Sequence, residues 1–257
     1  MYAAKLTFHY NKKKSSDWLL DELDALTSAL RHTGQILDFE PMLVDDSDRV
    51  MAYVRVPRRD SLSIENCSDY VSKRFEKLVE GGVELPTIEI LGTELSNRHA
   101  TDCMCSDRPS LILLACIYTE SPIRCGGCFG DVPGYEIPPT WKDKYYDDLR
   151  FWEHDYGRCY GLFMGCETGE RFGYREISKH DSSLGKRGRE VCARIESLTG
   201  VPTYYYLIRH QGRPGKAERD RSCPSCGSHW RLDEPWHRSI IFRCDACRLV
   251  SEDTKST

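Results

Sequence analysis

Four cysteines near the carboxyl end have the spacing of a metal site. They form two Cys-x-x-Cys pairs, Cys223 with Cys226 and Cys244 with Cys247, separated by 17 residues. Each pair presents two sulfurs on one side of a tight turn, and two such turns complete the tetrahedron that Zn²⁺ prefers, with Zn–S distances of about 2.3 Å. The separation of the pairs is typical of four-thiolate zinc sites. The sequence therefore predicts one structural zinc ion in a zinc ribbon, with a short hairpin between the pairs.

A third Cys-x-x-Cys pair, Cys125 and Cys128, lies in a stretch rich in glycine and proline. One interpretation is half of a second metal site. Its remaining ligands would come from Cys103, Cys105, Cys116, Cys159 or Cys166. A thiol redox pair is the second interpretation, but it requires a following helix to lower the thiol pKa, and the next residues lack a helical pattern. The third is a glycine-rich turn with two reduced thiols.

Basic residues are concentrated toward the carboxyl end, although the net charge of the chain is −4. From Arg209 to Thr257 there are ten Lys and Arg against seven Asp and Glu, a net of +3, so the remainder carries −7. Cations that neutralise phosphates and rings that stack on bases are the two ingredients of a nucleic-acid contact. The same rings could instead form the small core of the ribbon. The residues predicted to contact DNA or RNA are Arg221, Trp230, Arg231, Trp236, Arg238, Arg243 and Arg248.

Motifs of catalysis are absent from the sequence. There is no Gly-x-Ser-x-Gly and no His-Glu-x-x-His. His154 and His180 lie beside carboxylates in the sequence, but successive residues of a helix do not face one another. We therefore expect a protein that is not an enzyme, with thiol redox chemistry at Cys125 and Cys128 as the alternative.

Composition indicates a globular protein, because 40% of the 257 residues are hydrophobic and 30% are charged. The amino end lacks the apolar core of a signal peptide, and the longest apolar run, Leu111 to Tyr118, is too short to span a bilayer. Thirteen cysteines without an export signal indicate a reducing compartment. These features predict a cytoplasmic protein without a membrane partner.

The first 95 residues have alternating strand-like and helix-like patterns in the order β-α-β-β-α-β. The predicted strands are Lys5–His9, Gln35–Leu43, Arg49–Val56 and Pro86–Leu91, and the predicted helices are Asp17–Leu30 and Ile64–Glu80. This order is that of the ferredoxin-like plan, an antiparallel sheet with two helices on one face.

The second half suggests the same order around the Cys125–Cys128 insert. Its predicted strands are Leu111–Thr119, Cys159–Met164, Arg171–Tyr174 and Pro202–Ile208, and its predicted helices are Trp141–Tyr156 and Leu184–Leu198. The predicted fold class is α+β, with two ferredoxin-like (βαββαβ) halves packed together and a C-terminal zinc ribbon. The predicted parts are a first half at 1–95, a linker at 96–110, a second half at 111–209, a linker at 210–221 and the ribbon at 222–250.

Several of these stretches resemble an uncharacterised bacterial family, domain-of-unknown-function family 2310. The resemblance lies in the runs Glu120–Pro133, Gly169–Phe172, Leu198–Leu207 and Cys223–Gly227. The family is described as containing a zinc ribbon and as a candidate for nucleic-acid binding. The resemblance therefore implies a zinc ion and a nucleic-acid partner.

Two function hypotheses follow from these observations. The first is a non-enzymatic bacterial zinc-ribbon protein that binds nucleic acid through the ribbon. In the second, the protein is an interaction module, either an adaptor or an immunity-type inhibitor, whose acidic body docks a basic protein partner while the ribbon is structural. One zinc ion is expected in both, and a second would require ligands beyond Cys125 and Cys128.

Overall fold

The computed structural model describes most of the chain. The described residues are 1–10, 16–38, 40–95, 101–115, 120–142, 145–210, 216–237 and 239–253. The chain forms two compact units. Met1–Asp102 and Val132–Tyr146 make up the first, and Cys103–Asp131 and Asp147–Thr257 make up the second.

The first unit contains one four-stranded sheet. Its elements are β1 (Tyr2–His9), α1 (Ser16–Thr33), β2 (Met42–Asp46), β3 (Arg49–Val56), α2 (Asp69–Glu80) and β4 (Thr87–Thr93). The strand order is β2-β3-β1-β4, and all neighbouring strands are antiparallel. This is the order predicted for the first half, so its ferredoxin-like plan is confirmed. Helix α2 begins at Asp69 and not at Ile64 as predicted, because the side chain of Ser68 caps it by accepting from the backbone N–H of Val71.

Alternation along β1 and β3 places one face of this sheet against the helices. Leu6 and Phe8 of β1 and Ala52 of β3 are fully buried with Leu23 and Leu26 of α1. Burying each large apolar side chain stabilises the fold by roughly 1.5–3 kcal/mol. The leucine spacing that predicted α1 is therefore the spacing of the core.

The segment 132–146 belongs to the first unit although the sequence placed it in the second half. The hydroxyls of Tyr135 and Ser61 lie 3.2 Å apart, and Arg58 forms an ion pair with Glu136. These polar contacts link residues more than 70 positions apart, which local patterns do not reveal.

The second unit has a six-stranded mixed sheet with helices against it. Its elements are β5 (Leu111–Leu113), β6 (Ile123–Cys125), α3 (Asp147–Gly165), α4 (Glu170–Ser178), α5 (Ser183–Thr199), β7 (Thr203–Leu207), α6 (Lys216–Arg219), β8 (Arg231–Trp236), β9 (Ile240–Cys244) and β10 (Leu249–Glu252). The strand order is β6-β5-β7-β10-β9-β8. The prediction of a second ferredoxin-like half is therefore wrong.

Two predicted strands are helical. Cys159–Met164 lies within α3, and Arg171–Tyr174 lies within α4. Along α3 the buried rings of Trp152, Tyr156 and Tyr160 recur every four residues, which is the period of a helix face. In a window of six residues, this pattern cannot be distinguished from the alternation of a strand.

The three strands at the carboxyl end extend the same sheet. β10 runs parallel to β7, with Leu249 opposite Tyr205 and Ser251 opposite Leu207, while β9 and β8 follow in antiparallel order. The predicted linker 210–221 falls partly outside the described residues, at 211–215. Its end forms α6, where Glu218 accepts a hydrogen bond from Arg209 at 2.9 Å and pairs with Arg221 at 3.0 Å.

Helix α5 packs closely on β7 because Gly188 has no side chain. A Cβ at this position would overlap the ring of Tyr205 and lie 2.5 Å from Nε1 of Trp152. The Trp152 and Tyr205 rings meet edge to face, with centroids 5.9 Å apart. Among the described residues, no helix is long and apolar enough to cross a membrane.

Candidate metal centres

The four cysteines predicted to bind zinc come together at one end of the six-stranded sheet. The sulfurs of Cys223, Cys226, Cys244 and Cys247 all lie within 4.8 Å of one another, and those of Cys226 and Cys244 are 3.7 Å apart. A tetrahedral ion with Zn–S bonds of about 2.3 Å would separate its sulfurs by about 3.8 Å. The group therefore has the size and the ligands for one such ion. Cys223 precedes β8, whereas Cys244 ends β9, so both sides of the hairpin contribute ligands.

The thiols of this group differ in their ease of ionisation. Hydrogen bonds from Ser228 lower the pKa of Cys226 to about 6, whereas burial raises the pKa of Cys223 to about 12 and also raises that of Cys247. One thiolate therefore forms readily, and its charge opposes ionisation of its neighbours. A bound dication removes this opposition, because metal binding displaces the remaining protons.

The turn that carries Cys244 and Cys247 is fixed to the rest of the unit by polar contacts. The hydroxyl of Tyr204 on β7 donates to Asp245 at 2.6 Å. Arg248 donates to both carboxylate oxygens of Glu196 on α5. The turn of Cys244 and Cys247 is thus held by a strand and a helix outside the hairpin.

The side chains predicted to contact nucleic acid make contacts within the second unit. Trp230 is buried and its ring packs against Phe242, with centroids 5.2 Å apart. Arg221 stacks on the Phe242 ring, and burial lowers its pKa to about 10. Arg231 also lies over Phe242.

The other described residues predicted to contact nucleic acid also pair or stack with side chains of the second unit. Arg243 pairs with Asp245 at 2.9 Å and lies over the ring of Trp236, and Arg248 is paired with Glu196. Arg238 lies outside the described residues. Contact of these seven residues with DNA or RNA stays a prediction, and the structure supplies intramolecular contacts for the six that it describes.

A second group of four cysteines forms around Cys125 and Cys128. The other two members are Cys103 and Cys105, and the four sulfurs lie within 4.8 Å of one another. Cys103 and Cys105 come from the segment before β5, which the sequence assigned to a linker, and Cys125 ends β6. Of the partners considered for Cys125 and Cys128, Cys159 and Cys166 are not in the group, and Cys116 lies outside the described residues.

The thiols of the second group also differ in their pKa values. Burial opposes ionisation of Cys103, but hydrogen bonds from Arg108 and from the backbone N–H of Cys105 outweigh it and lower the pKa to about 7. A hydrogen bond with Cys128 and burial raise the pKa of Cys105 to about 12. Burial raises the pKa of Cys125, so the depressed pKa that a redox nucleophile needs is not found at this residue.

A buried ion pair holds the loop of Cys125 and Cys128. Arg124 and Asp131 form this pair at 2.8 Å, with side chains 8% and 2% exposed, and Arg124 also donates to the carbonyl of Phe129. The backbone N–H of Cys103 donates to the carbonyl of Asp131 at 2.9 Å, which brings the two segments together. Removing one partner of such a buried pair would leave an uncompensated charge.

The loop contacts the hairpin of β8 and β9 through one carbonyl. Gly126 accepts from Nε1 of Trp236 at 3.0 Å, and its oxygen lies 2.7 Å from Nε2 of His237. The imidazole of His237 stacks on Phe129, with centroids 5.1 Å apart. A Cβ at Gly126 would overlap Ser110 and lie 2.9 Å from the Trp236 ring, so only glycine fits here. This contact joins residues 110 positions apart, so no local sequence pattern indicates it.

An exposed basic stripe runs along α4. Arg171 and Arg175, four residues apart, lie on the face opposite the buried Gly173 and Ile177, and the exposed Lys179 follows the last residue of the helix. Burial lowers the pKa of His180, and the cations Arg189, Lys179 and Lys186 act in the same direction against Asp181. Positive charges of α5 therefore converge on the end of this stripe.

Three family models match successive parts of the chain. Residues 106–208 match a domain of unknown function (DUF2310), residues 1–92 match another (DUF8589), and residues 212–254 match a third (DUF8594). The first match confirms the resemblance to family 2310 for that part of the sequence.

Two uncharacterized proteins of Haemophilus influenzae are similar in sequence. One is 31% identical over 233 residues, which are 89% of this chain and 88% of that protein. The other is 40% identical over 131 residues, which are 51% of this chain and 64% of that protein. Among solved structures, the crystal structure of an antibiotic biosynthesis monooxygenase aligns over 36% of this chain and 99% of its own, at 13% identity and a TM-score of 0.29. A likeness this low carries no argument about fold or activity.

Proposed function

This chain belongs to the family of the Haemophilus influenzae protein that it matches over most of its length, and we propose that it is a non-enzymatic zinc protein that binds nucleic acid. The zinc ion in this proposal is structural and is held by Cys223, Cys226, Cys244 and Cys247. It fixes the last three strands of the six-stranded sheet. The nucleic acid binds on the basic stripe of α4.

One observation carries the zinc assignment. Four sulfurs, two from each side of a hairpin, lie within 4.8 Å of one another and have no disulfide among them. A tetrahedral group of four thiolates is the arrangement that selects Zn²⁺ or iron. The reducing cytoplasm would keep these cysteines available as ligands.

The donor set makes this ion structural and not catalytic in the proposal. Catalytic zinc sites keep one coordination position for water or substrate, whereas four cysteines fill all four positions. An ion held in this way stabilises the fold and has no position for a reacting group.

The basic stripe supports the proposed partner. Arg171, Arg175 and Lys179 are exposed, and the two arginines lie about 6 Å apart along the helix axis, given a rise of 1.5 Å per residue. Phosphate groups are neutralised by such lysines and arginines, with release of counterions. The exposed ring of Phe172, 58% accessible, lies beside the stripe and could stack on a base. The arginines of the ribbon are less suited, because their charges are paired or stacked within the unit.

Binding of single-stranded and duplex oligonucleotides over a range of salt concentrations tests this partner. Replacing Arg171, Arg175 and Lys179 together by Gln should weaken binding of every sequence and reduce the slope of log affinity against log salt by about 2 to 3. The matched variant replaces Arg231 and Arg243 of the ribbon by Gln and should leave the slope unchanged. If binding is weakened only in the ribbon variant, the nucleic-acid site lies on the ribbon and not on α4. No measurable binding by the unsubstituted protein would refute the proposed partner.

A protein partner is the second candidate, favoured by exposed apolar side chains at the end of α3 and on α4. Leu162, Met164 and Phe172 are 38%, 50% and 58% exposed. Exposed apolar side chains are common at protein interaction sites. A partner protein that stays bound after nuclease treatment and is lost in Phe172→Ser would favour this candidate over nucleic acid.

A further inference from the structure

The loop of Cys125 and Cys128 repeats the backbone geometry of the ribbon turn that carries Cys223 and Cys226. In the ribbon turn, the N–H of Gly227 donates to the carbonyl of Cys223 and the N–H of Cys223 donates to the carbonyl of Ser228, both at 2.8 Å. In the earlier loop, Phe129 donates to Cys125 at 2.8 Å and Cys125 donates to Gly130 at 2.9 Å. The offsets of four and five residues are the same in both turns.

The fifth residue of each Cys-x-x-Cys turn has a left-handed backbone conformation, with a positive φ angle. The φ angles are 63° at Phe129, 74° at Gly227 and 52° at Arg248. Glycine adopts this conformation easily, but Phe129 has a Cβ that makes it costly. A bulky residue with this backbone conformation persists only where the surrounding structure fixes it, and such positions are frequent at functional sites.

Backbone N–H groups point at the sulfurs in the same pattern. Cys125 accepts from the N–H groups two and three positions later, those of Gly127 and Cys128. Cys223 accepts from the corresponding groups of Ser225 and Cys226. The two turns therefore surround their first sulfur with backbone N–H groups at the same positions.

From these three correspondences we propose that Cys103, Cys105, Cys125 and Cys128 form a second zinc site, which also docks the hairpin of β8 and β9. Cys125 and Cys128 supply one metal-binding turn, and Cys103 and Cys105 close the tetrahedron from the preceding segment. The ion fixes the loop so that the carbonyl of Gly126 is presented to Trp236 and His237. This inference goes beyond the proposed function, because it requires neither the ribbon zinc nor a nucleic acid.

Zinc content of the purified full-length chain, measured by plasma mass spectrometry, tests the site. The test variant is Cys128→Ser, at an exposed cysteine of the second group, and the equivalent ribbon variant is Cys226→Ser, also exposed. The control is Cys166→Ser, an exposed cysteine outside both groups. We expect two zinc ions per chain in the unsubstituted protein and in the control, and one in each of the other variants.

The outcomes separate this site from the ribbon site. A single ion that is lost only in Cys226→Ser overturns the second site and leaves the ribbon zinc in place. A single ion that is lost only in Cys128→Ser supports the second site and overturns the ribbon zinc. Iron in place of zinc, detected by the same measurement, overturns the choice of metal. If Cys128→Ser does not fold, titration of the metal-free unsubstituted protein with Co²⁺ gives the number of four-thiolate sites from its absorption, and one equivalent contradicts the proposal.

Hydrogen exchange tests the docking. In Cys128→Ser we expect the amides of Arg231–Cys244 to exchange about tenfold faster, the effect of losing two ordinary hydrogen bonds. Trp236→Phe removes one of these two hydrogen bonds and replaces the indole by a smaller ring, so exchange should also become faster, whereas Trp141→Phe, at an exposed tryptophan of the first unit, should leave it unchanged. Exchange in Cys128→Ser equal to that of the Cys166→Ser control would show that the loop does not dock the hairpin.

Discussion

Glu196 on α5 accepts two parallel hydrogen bonds from Arg248, from Nε at 2.9 Å and from Nη2 at 2.8 Å. Arg248 directly follows Cys247, so this pair connects a helix of the second unit to the turn that carries Cys244 and Cys247. A bidentate contact of this kind fixes orientation as well as distance. The helix therefore helps to set the position of Cys247, the last of the four clustered cysteines.

Replacing Glu196 by Gln should destabilise the second unit by about 0.5–1 kcal/mol, a modest value because both side chains are partly exposed. The measurement is urea unfolding at pH 7. Glu190→Gln, at an exposed glutamate of the same helix, is the control and should change the free energy of unfolding by less. Equal effects of the two substitutions would contradict a specific role for the pair.

The contribution of Glu196 should depend on pH. Hydrogen bonds from Arg248 and the N–H of Thr203 lower its pKa, and the Arg248 charge acts in the same direction. Since the folded pKa lies below the unfolded value of about 4.3, the stabilisation is complete above that pH and is lost as pH falls through the folded pKa.

Unfolding of the unsubstituted protein and of Glu196→Gln should therefore differ by a constant amount from pH 8 to about pH 5 and converge at lower pH. Zinc release in acid affects both proteins, so their difference isolates the carboxylate. A difference that grows as the pH falls would contradict the lowered pKa.

Gly188→Ala should destabilise the second unit by about 1–3 kcal/mol, because the added methyl group overlaps Tyr205 and forces α5 away from β7. Gly157→Ala is the matched control, since that position is exposed on α3 and has nothing within 4 Å of an added Cβ. The control should stabilise by about 0.5–1 kcal/mol through helix propensity. Thermal unfolding of both variants measures the contrast, and destabilisation by both would indicate that the packing at Gly188 is not responsible.

Thiol labelling should distinguish three classes of cysteine. Cys166 is exposed and should react first, whereas Cys192 is buried and its pKa is raised by that burial, so it should stay unlabelled until the unit unfolds. The eight cysteines of the two groups should be protected by metal and react after chelation. Mass spectrometry of the labelled peptides checks this order, and rapid labelling of Cys226 or Cys128 before chelation would contradict metal protection.

The sequence predicted the four-cysteine ribbon group because each half is a local Cys-x-x-Cys turn. It left the second group open because Cys103 and Cys105 are one residue apart and meet the later pair only through tertiary structure. The position of β10 beside β7 was not predictable, since a parallel pairing across more than 40 residues has no local signature.

Helices and strands were predicted best in the first unit, where the buried residues follow simple periods. The leucines of α1 and the alternation of β3 gave the first unit its correct order. In the second half, the prediction ended a helix at Tyr156, although the buried ring of Phe163 continues the same face of α3. The aromatic residues of α3 therefore carry a helical period that continues past Tyr156.

Elemental analysis of freshly purified protein is the most direct test of the metal sites on which this account depends. We expect two zinc ions per chain, with both retained in Cys166→Ser and the ribbon ion lost in Cys226→Ser. A protein that contains no zinc, or that keeps the hairpin of β8 and β9 protected from hydrogen exchange after complete chelation, would contradict it.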